Sequence, residues 1–168
     1  MNTKPNRLTH TVSPIRGRLL DSLPFALFCM FLMMTTISQA HAQWSKSQQR
    51  LQGLFTWIYM PSGTLANHKH ALFVVLHGCA QHNTELKEFG NLTAAADGAG
   101  ALLALPQVPS ATQWGPGCWD YDGGADAHQH AQQVIHLTQN LLVQPALNID
   151  KDQIYVVGLS SGGALRIR

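Results

Sequence analysis

The stretch that most limits what this chain can become is Gly158-Leu159-Ser160-Ser161-Gly162, set directly behind Ile154-Tyr155-Val156-Val157. Those four preceding residues are β-branched or aromatic and carry no charge, which predicts a short strand buried on both faces. A G-x-S-x-G sequence at the end of such a strand bends the chain abruptly into a helix and holds the middle serine in a strained backbone conformation. A side chain two positions before or after that serine would meet neighbouring backbone, so both places need glycine. Ser160 meets the requirement and Ser161 does not, because only Ser160 has glycine at both spacings. A hydroxyl at the tip of a corner, with the first N–H groups of a helix behind it, suits a nucleophile and its oxyanion. Gly-Ser-rich pentapeptides also occur in ordinary loops. The strand in front and the small Gly162-Gly163-Ala164 behind distinguish this one.

The first part of the chain has another expected fate. Lys4, Arg7, Arg16 and Arg18 form a basic start broken only by Asp21, and an apolar run from Leu23 to Ile37 ends at Ala40-His41-Ala42. This is the pattern of a secretory signal peptide occupying residues 1–42, cleaved after Ala42. The competing reading is a membrane anchor, but a run of about 15 residues falls short of the ~20 that cross a bilayer. Four of the 11 Lys and Arg and one of the nine Asp and Glu lie in that leader, so seven positive and eight negative groups remain in residues 43–168. The pI of about 8.5 therefore belongs to the leader. With no basic patch left, no nucleic-acid partner is expected, and no membrane association after cleavage. Cys29 leaves with the leader, and the remaining pair, Cys79 and Cys118, predicts a disulfide in an exported chain, against two buried thiols.

Taken in order, Gln43 to Gln52 is polar and reads as a loose lead-in. Leu54 to Met60 is strand-like, Pro61-Ser62-Gly63 a turn, and Thr64 to His70 a polar connector. Ala71 to Leu76 is an uninterrupted apolar strand that stops at His77-Gly78-Cys79-Ala80-Gln81. Thr84 to Asp97 carries Leu86, Phe89, Leu92 and Ala96 at helical spacing, which predicts one helix ended by Gly98 and Gly100. Ala101 to Leu105 is a third inner strand, followed by an irregular, glycine-rich and aromatic segment from Gln107 to Gly124. Ala125 to Val143 is a second helix with Val134, Ile135, Leu137, Leu141 and Leu142 as its buried side. Strands alternating with helices argue for an α/β fold with a mostly parallel sheet, in one domain without internal repeat.

With these pieces in hand, the chain resembles the secreted polyhydroxybutyrate depolymerase and feruloyl/acetylxylan esterase group of α/β-hydrolases. The residues that carry the resemblance are Leu76-His77-Gly78-Cys79-Ala80-Gln81, Gly117-Cys118-Trp119, and Ile149-Asp150 followed by Ile154 to Ala164. The resemblance implies Ser160 as nucleophile and the backbone N–H groups of Ser161 and Cys79 as the oxyanion hole. It implies that His77 shapes a turn rather than serving as base, and that Cys79 and Cys118 tether the glycine-rich loop beside the site. The fold implied is an incomplete α/β-hydrolase. In that fold the acid and the base follow the nucleophile, whereas Ser161 to Arg168 contains neither an acid nor a histidine. The expectation is an N-terminal portion, residues 43–168, truncated after the serine corner and inactive by itself.

The function expected is secreted carboxylic-ester hydrolysis, on a polyhydroxybutyrate-type polyester or on feruloyl or acetyl esters of polysaccharide. Two other readings stay open: a non-catalytic remnant binding a polymer surface through Trp114, Trp119 and Tyr121, and a serine peptidase of the same fold. No cofactor and no metal are expected. His128, His130 and His136 suit no zinc spacing and read as solvated or capping residues. Asp120, Asp122 and Asp126 lack a calcium-loop pattern and read as a polar loop. Asn91-Leu92-Thr93 is a glycosylation sequon inside a predicted helix.

Overall fold

The structure is a computed structural model that describes residues 41–62, 68–109, 117–121, 125–165 and 167. The leader, apart from its last two residues, lies outside these, as do Trp114, Asp122 and most of the Thr64 to His70 connector. Six strands form one sheet: β1 Gln43–Trp44, β2 Gln49–Leu51, β3 Leu54–Met60, β4 His70–Leu76, β5 Leu102–Pro106 and β6 Ile149–Gly158. The spatial order is β1-β3-β5-β4-β6, with β2 also pairing β3. β5, β4 and β6 run parallel, while β3 joins β5, β1 and β2 antiparallel. The architecture is thus α/β with a partial, mixed sheet.

Side chains alternate between the faces with the period of two that a pleated strand imposes. Leu54 and Ile58 of β3, Leu72, Val74 and Leu76 of β4, and Leu102 and Ala104 of β5 point to one face. There they meet Ala131, Val134, Leu137 and Leu141 of the long helix Ala125–Leu142 (α3). Leu103, Leu105, Phe73 and Val75 point to the other face, against α1 (Asn83–Phe89) and α2 (Leu92–Ala99). The four-residue helix Ser161–Ala164 is α4.

Three sequence expectations change. The Gln43 to Gln52 lead-in is two short strands, held because β3 offers it an edge on each part of its length. The single helix expected over Thr84 to Asp97 is two helices. Gly90 caps the first by donating its N–H to Leu86 O, and Asn91 turns left-handed at φ 46°. A Cβ at Gly90 would sit 2.6 Å from that carbonyl, so the sequence stops the helix there. Phe89, the last residue of the first helix, is 80% exposed. The break also leaves Asn91 of the sequon exposed between helices rather than inside one. Finally, β6 is longer than expected and is not buried on both faces. Tyr155, Val156 and Val157 are 47%, 43% and 47% exposed, and among the described residues β6 pairs only with β4.

Candidate active site

The serine corner is built where two neighbouring parallel strands end together. Leu76 of β4 lies opposite Gly158 of β6. Just beyond, the Leu159 N–H donates to Leu76 O at 3.1 Å, so residues 77–79 and 159–161 leave the sheet side by side. Ser160 has φ 52° and ψ −120°, a conformation an L-residue avoids and one that costs roughly 1–3 kcal/mol. The flanking glycines show why the corner closes. A Cβ at Gly158 would lie 2.3 Å from Gly162 C, and one at Gly162 would lie 2.6 Å from His77 O. The turn from strand to α4 is tight enough that only hydrogen fits at both places.

The second wall is the His77 to Gln81 turn. A Cβ placed on Gly78 would come 3.3 Å from Ser160 Cβ, so that turn passes directly beside the serine. Gln81 closes it by accepting the Gly78 N–H on Oε1 at 2.7 Å. Asn83, the first residue of α1, pins the far end to the sheet: its Nδ2 donates to Phe55 O at 2.9 Å and to Leu105 O at 2.7 Å. Its own N–H donates to Gln107 Oε1 at 2.8 Å. Among the described residues neither the Cys79 N–H nor the Ser161 N–H donates to a protein acceptor.

His77 is fully buried, and both its ring nitrogens are engaged. Nε2 accepts the Val108 N–H at 3.2 Å, so the proton sits on Nδ1, which donates to Gly78 O at 2.7 Å. Burial pushes its pKa below the ordinary 6.5, keeping the ring neutral. A ring so occupied has no lone pair left to take a proton from a serine.

The third wall is the segment Gly117 to Asp120. Cys118 is disulfide-bonded to Cys79, with Cα atoms 4.1 Å apart. The Trp119 N–H donates to Ser161 Oγ at 3.3 Å, and the Asp120 N–H to His130 Nδ1 at 3.1 Å. Trp119 is fully buried between two histidine rings, tilted against His77 at 5.6 Å and edge-on to His130 at 5.8 Å between ring centroids. This corrects two expectations. His130 is buried rather than solvated, while His128 and His136 are exposed. Asp120 is buried too, with neither carboxylate oxygen hydrogen-bonded. Its place in a polar loop was misjudged because its neighbour Trp119 draws the segment inward.

The structure therefore brings together Ser160, Ser161, Cys79 and Cys118. Sequence reasoning missed Gln81, Asn83, Gln107 and His130. Gln81 stood in a quoted motif without a role, and the others hold backbone groups that no residue spacing announces. Among the described residues no group of three His, Cys, Asp or Glu is placed to hold a metal ion.

Known proteins were compared with the chain. The family model described as Esterase PHB depolymerase matches residues 54–167. A poly(3-hydroxybutyrate) depolymerase of Ralstonia pickettii is 30% identical over 160 residues, covering 83% of this chain and 32% of that protein. The chain thus spans about a third of that relative's length. An S-formylglutathione hydrolase of Agrobacterium tumefaciens matches with a TM-score of 0.52 at 17% identity, over 76% of this chain and 53% of its own. FphF, a fluorophosphonate-binding serine hydrolase of Staphylococcus aureus, matches with a TM-score of 0.52 at 12% identity, over 74% of this chain and 49% of its own. At such low identity these structures show the fold, that of the α/β-hydrolases.

Proposed function

This chain belongs to the esterase PHB depolymerase family, and on that premise we propose that it carries the nucleophile and oxyanion half of a secreted serine esterase. Ser160 Oγ attacks the ester carbonyl carbon and passes its proton to a base. The carbonyl oxygen becomes an oxyanion, received by the N–H groups of Cys79 and Ser161. Collapse expels the alcohol and leaves Ser160 acylated, and water then releases the acid. The substrate class is a carboxylic ester of a polymer, either a polyhydroxybutyrate-type polyester or feruloyl or acetyl groups on polysaccharide. The leader at 1–42 and the Cys79–Cys118 disulfide support export.

The observation that carries the reading is Ser160 at φ 52°, at the C-terminal end of β6, with the Cys79 and Ser161 N–H groups giving no hydrogen bond to a protein acceptor among the described residues. Residues 161–168 hold no histidine or acid, and His77 is occupied. The polymer-binding remnant is weakened: Trp119 has no exposed surface and only Tyr121 of its described aromatics reaches solvent.

The test is a fluorophosphonate probe on the purified chain, with peptide mapping. Covalent adduct on Ser160, absent in Ser160→Ala, is the expected result. Adduct elsewhere, or none alongside tight binding to polyester film, would discard the esterase reading.

A further inference from the structure

We infer that Cys118, Trp119 and Asp120 form a clamp that sets the two oxyanion amides at a fixed separation, with His130 as the positioning residue that anchors it. The inference rests on the esterase reading of Ser160 but draws on different contacts.

Three consecutive residues have three separate attachments. Cys118 is bonded covalently to Cys79, which bears one proposed donor. The Trp119 N–H holds Oγ of Ser161, which bears the other, at 3.3 Å. The Asp120 N–H then ties the segment to His130 Nδ1 at 3.1 Å. All three are buried, at 6%, 0% and 0% exposure. The entry to the clamp is equally close: Gly117 sits at φ +76°, and a Cβ there would be 3.4 Å from both Ala80 N and Ala80 Cα. Neither donor is thus held only by its own strand end; each is reached from the same three-residue piece of backbone.

His130 makes this piece stationary. It stands on α3, an 18-residue helix fixed in the main core by Ala131, Val134, Leu137 and Leu141. Because Nδ1 accepts an N–H, the ring proton is on Nε2, and the bond needs an acceptor at that one position. The Asp120 carboxylate lies 3.7 Å from the same nitrogen with no hydrogen-bond partner of its own. A buried carboxylate left without a donor lowers stability, and such places collect beside functional sites. Oxyanion stabilisation is steep in distance, and one misplaced donor costs on the order of a hundredfold in rate.

The experiment compares His130→Leu, which deletes the acceptor, with His130→Asn, whose side-chain oxygen can stand where Nδ1 does. Amide hydrogen exchange and amide chemical shifts are read on the full chain, alongside the rate of fluorophosphonate labelling. In His130→Leu the Trp119 amide is expected to exchange at least tenfold faster. The Cys79 and Ser161 resonances shift, while Leu103 and Ala104 in the sheet stay protected. Labelling slows at least tenfold, and His130→Asn restores all three readouts. Should His130→Leu not fold, Ser161→Ala cuts the clamp at its other end and is expected to free Trp119 and move the Cys79 resonance likewise. Wild-type exchange and shifts in the folded variants would overturn the clamp, as would a loss of protection spread evenly through β4 and β5. Failure of the wild-type chain to label would instead count against the Ser160 reading, and the exchange data would still decide the clamp.

Discussion

At the scale of single residues, the corner is governed by the space left for one carbon atom. Gly162→Ala places a Cβ 2.6 Å from His77 O and 2.8 Å from Leu76 Cβ, both on a strand end that cannot retreat without breaking the β4–β6 register. The expected cost is about 2–4 kcal/mol by urea unfolding. Gly98→Ala is the opposite case: it lies inside α2 with nothing within 4 Å of the added carbon, and should stabilise by roughly 0.5–1 kcal/mol. Titration follows similarly from local contacts. His77 has its folded pKa pushed below 6.5 by burial, so the unfolded chain binds the extra proton first. Its contribution is whole above 6.5 and is lost as pH falls below that value. Asp97, held below its ordinary 3.8 chiefly by the Ser62 N–H, adds a further loss in stronger acid. Tyr59, raised to about 12 by burial and by its bond to Asp97, works at the other end, its contribution fading between pH 10 and about 12. The urea midpoint should therefore fall on both sides of neutrality. A His77→Asn variant should show a smaller drop between pH 7 and 5 than the wild type.

At the scale of elements, β6 is the exposed member. Among the described residues it hydrogen-bonds on one edge, and its apolar residues line shallow hollows. One of about 320 Å³ runs between Phe73, Val75, Leu92, Ala95, Leu103 and Val157. A strand with one partner opens more readily than a strand with two. On warming, the Tyr155 to Gly158 amides should lose exchange protection at a lower temperature than those of Leu72 to Leu76. Equal protection in both strands would show that β6 is covered. The uncharged run Ile154 to Val157 announced the strand, but burial is decided by what lies across the sheet, and periodicity in one segment carries no word of that. The same limit explains Phe89, whose helical spacing was correct and whose helix ended at Gly90. It also explains Asn83, Gln107 and His130, which act through backbone groups that are distant in sequence. What could be read beforehand was local and steric: glycine at 158 and 162 around Ser160, and the uninterrupted apolar runs of β4 and β5.

At the scale of the whole molecule, the disulfide ties two loops from different parts of the chain across 39 residues. On the chain-entropy account, closing that loop is worth about 4 kcal/mol, and a Cys79→Ser/Cys118→Ser pair should lose about 2–4 kcal/mol in urea unfolding at neutral pH. The loss should exceed what buried side-chain truncation predicts, because the cross-link acts on the unfolded ensemble.

The cystine has a practical consequence for anyone handling this polypeptide. A batch made where glutathione keeps thiols reduced and a batch made in an oxidising compartment share every atom except two hydrogens. Yet only the second has the Cys79 and Ser161 amides, the proposed oxyanion donors, braced from a common support. Mass spectrometry of the intact chain, resolving that two-hydrogen difference, is therefore the assay that says which of the two molecules any other measurement has sampled.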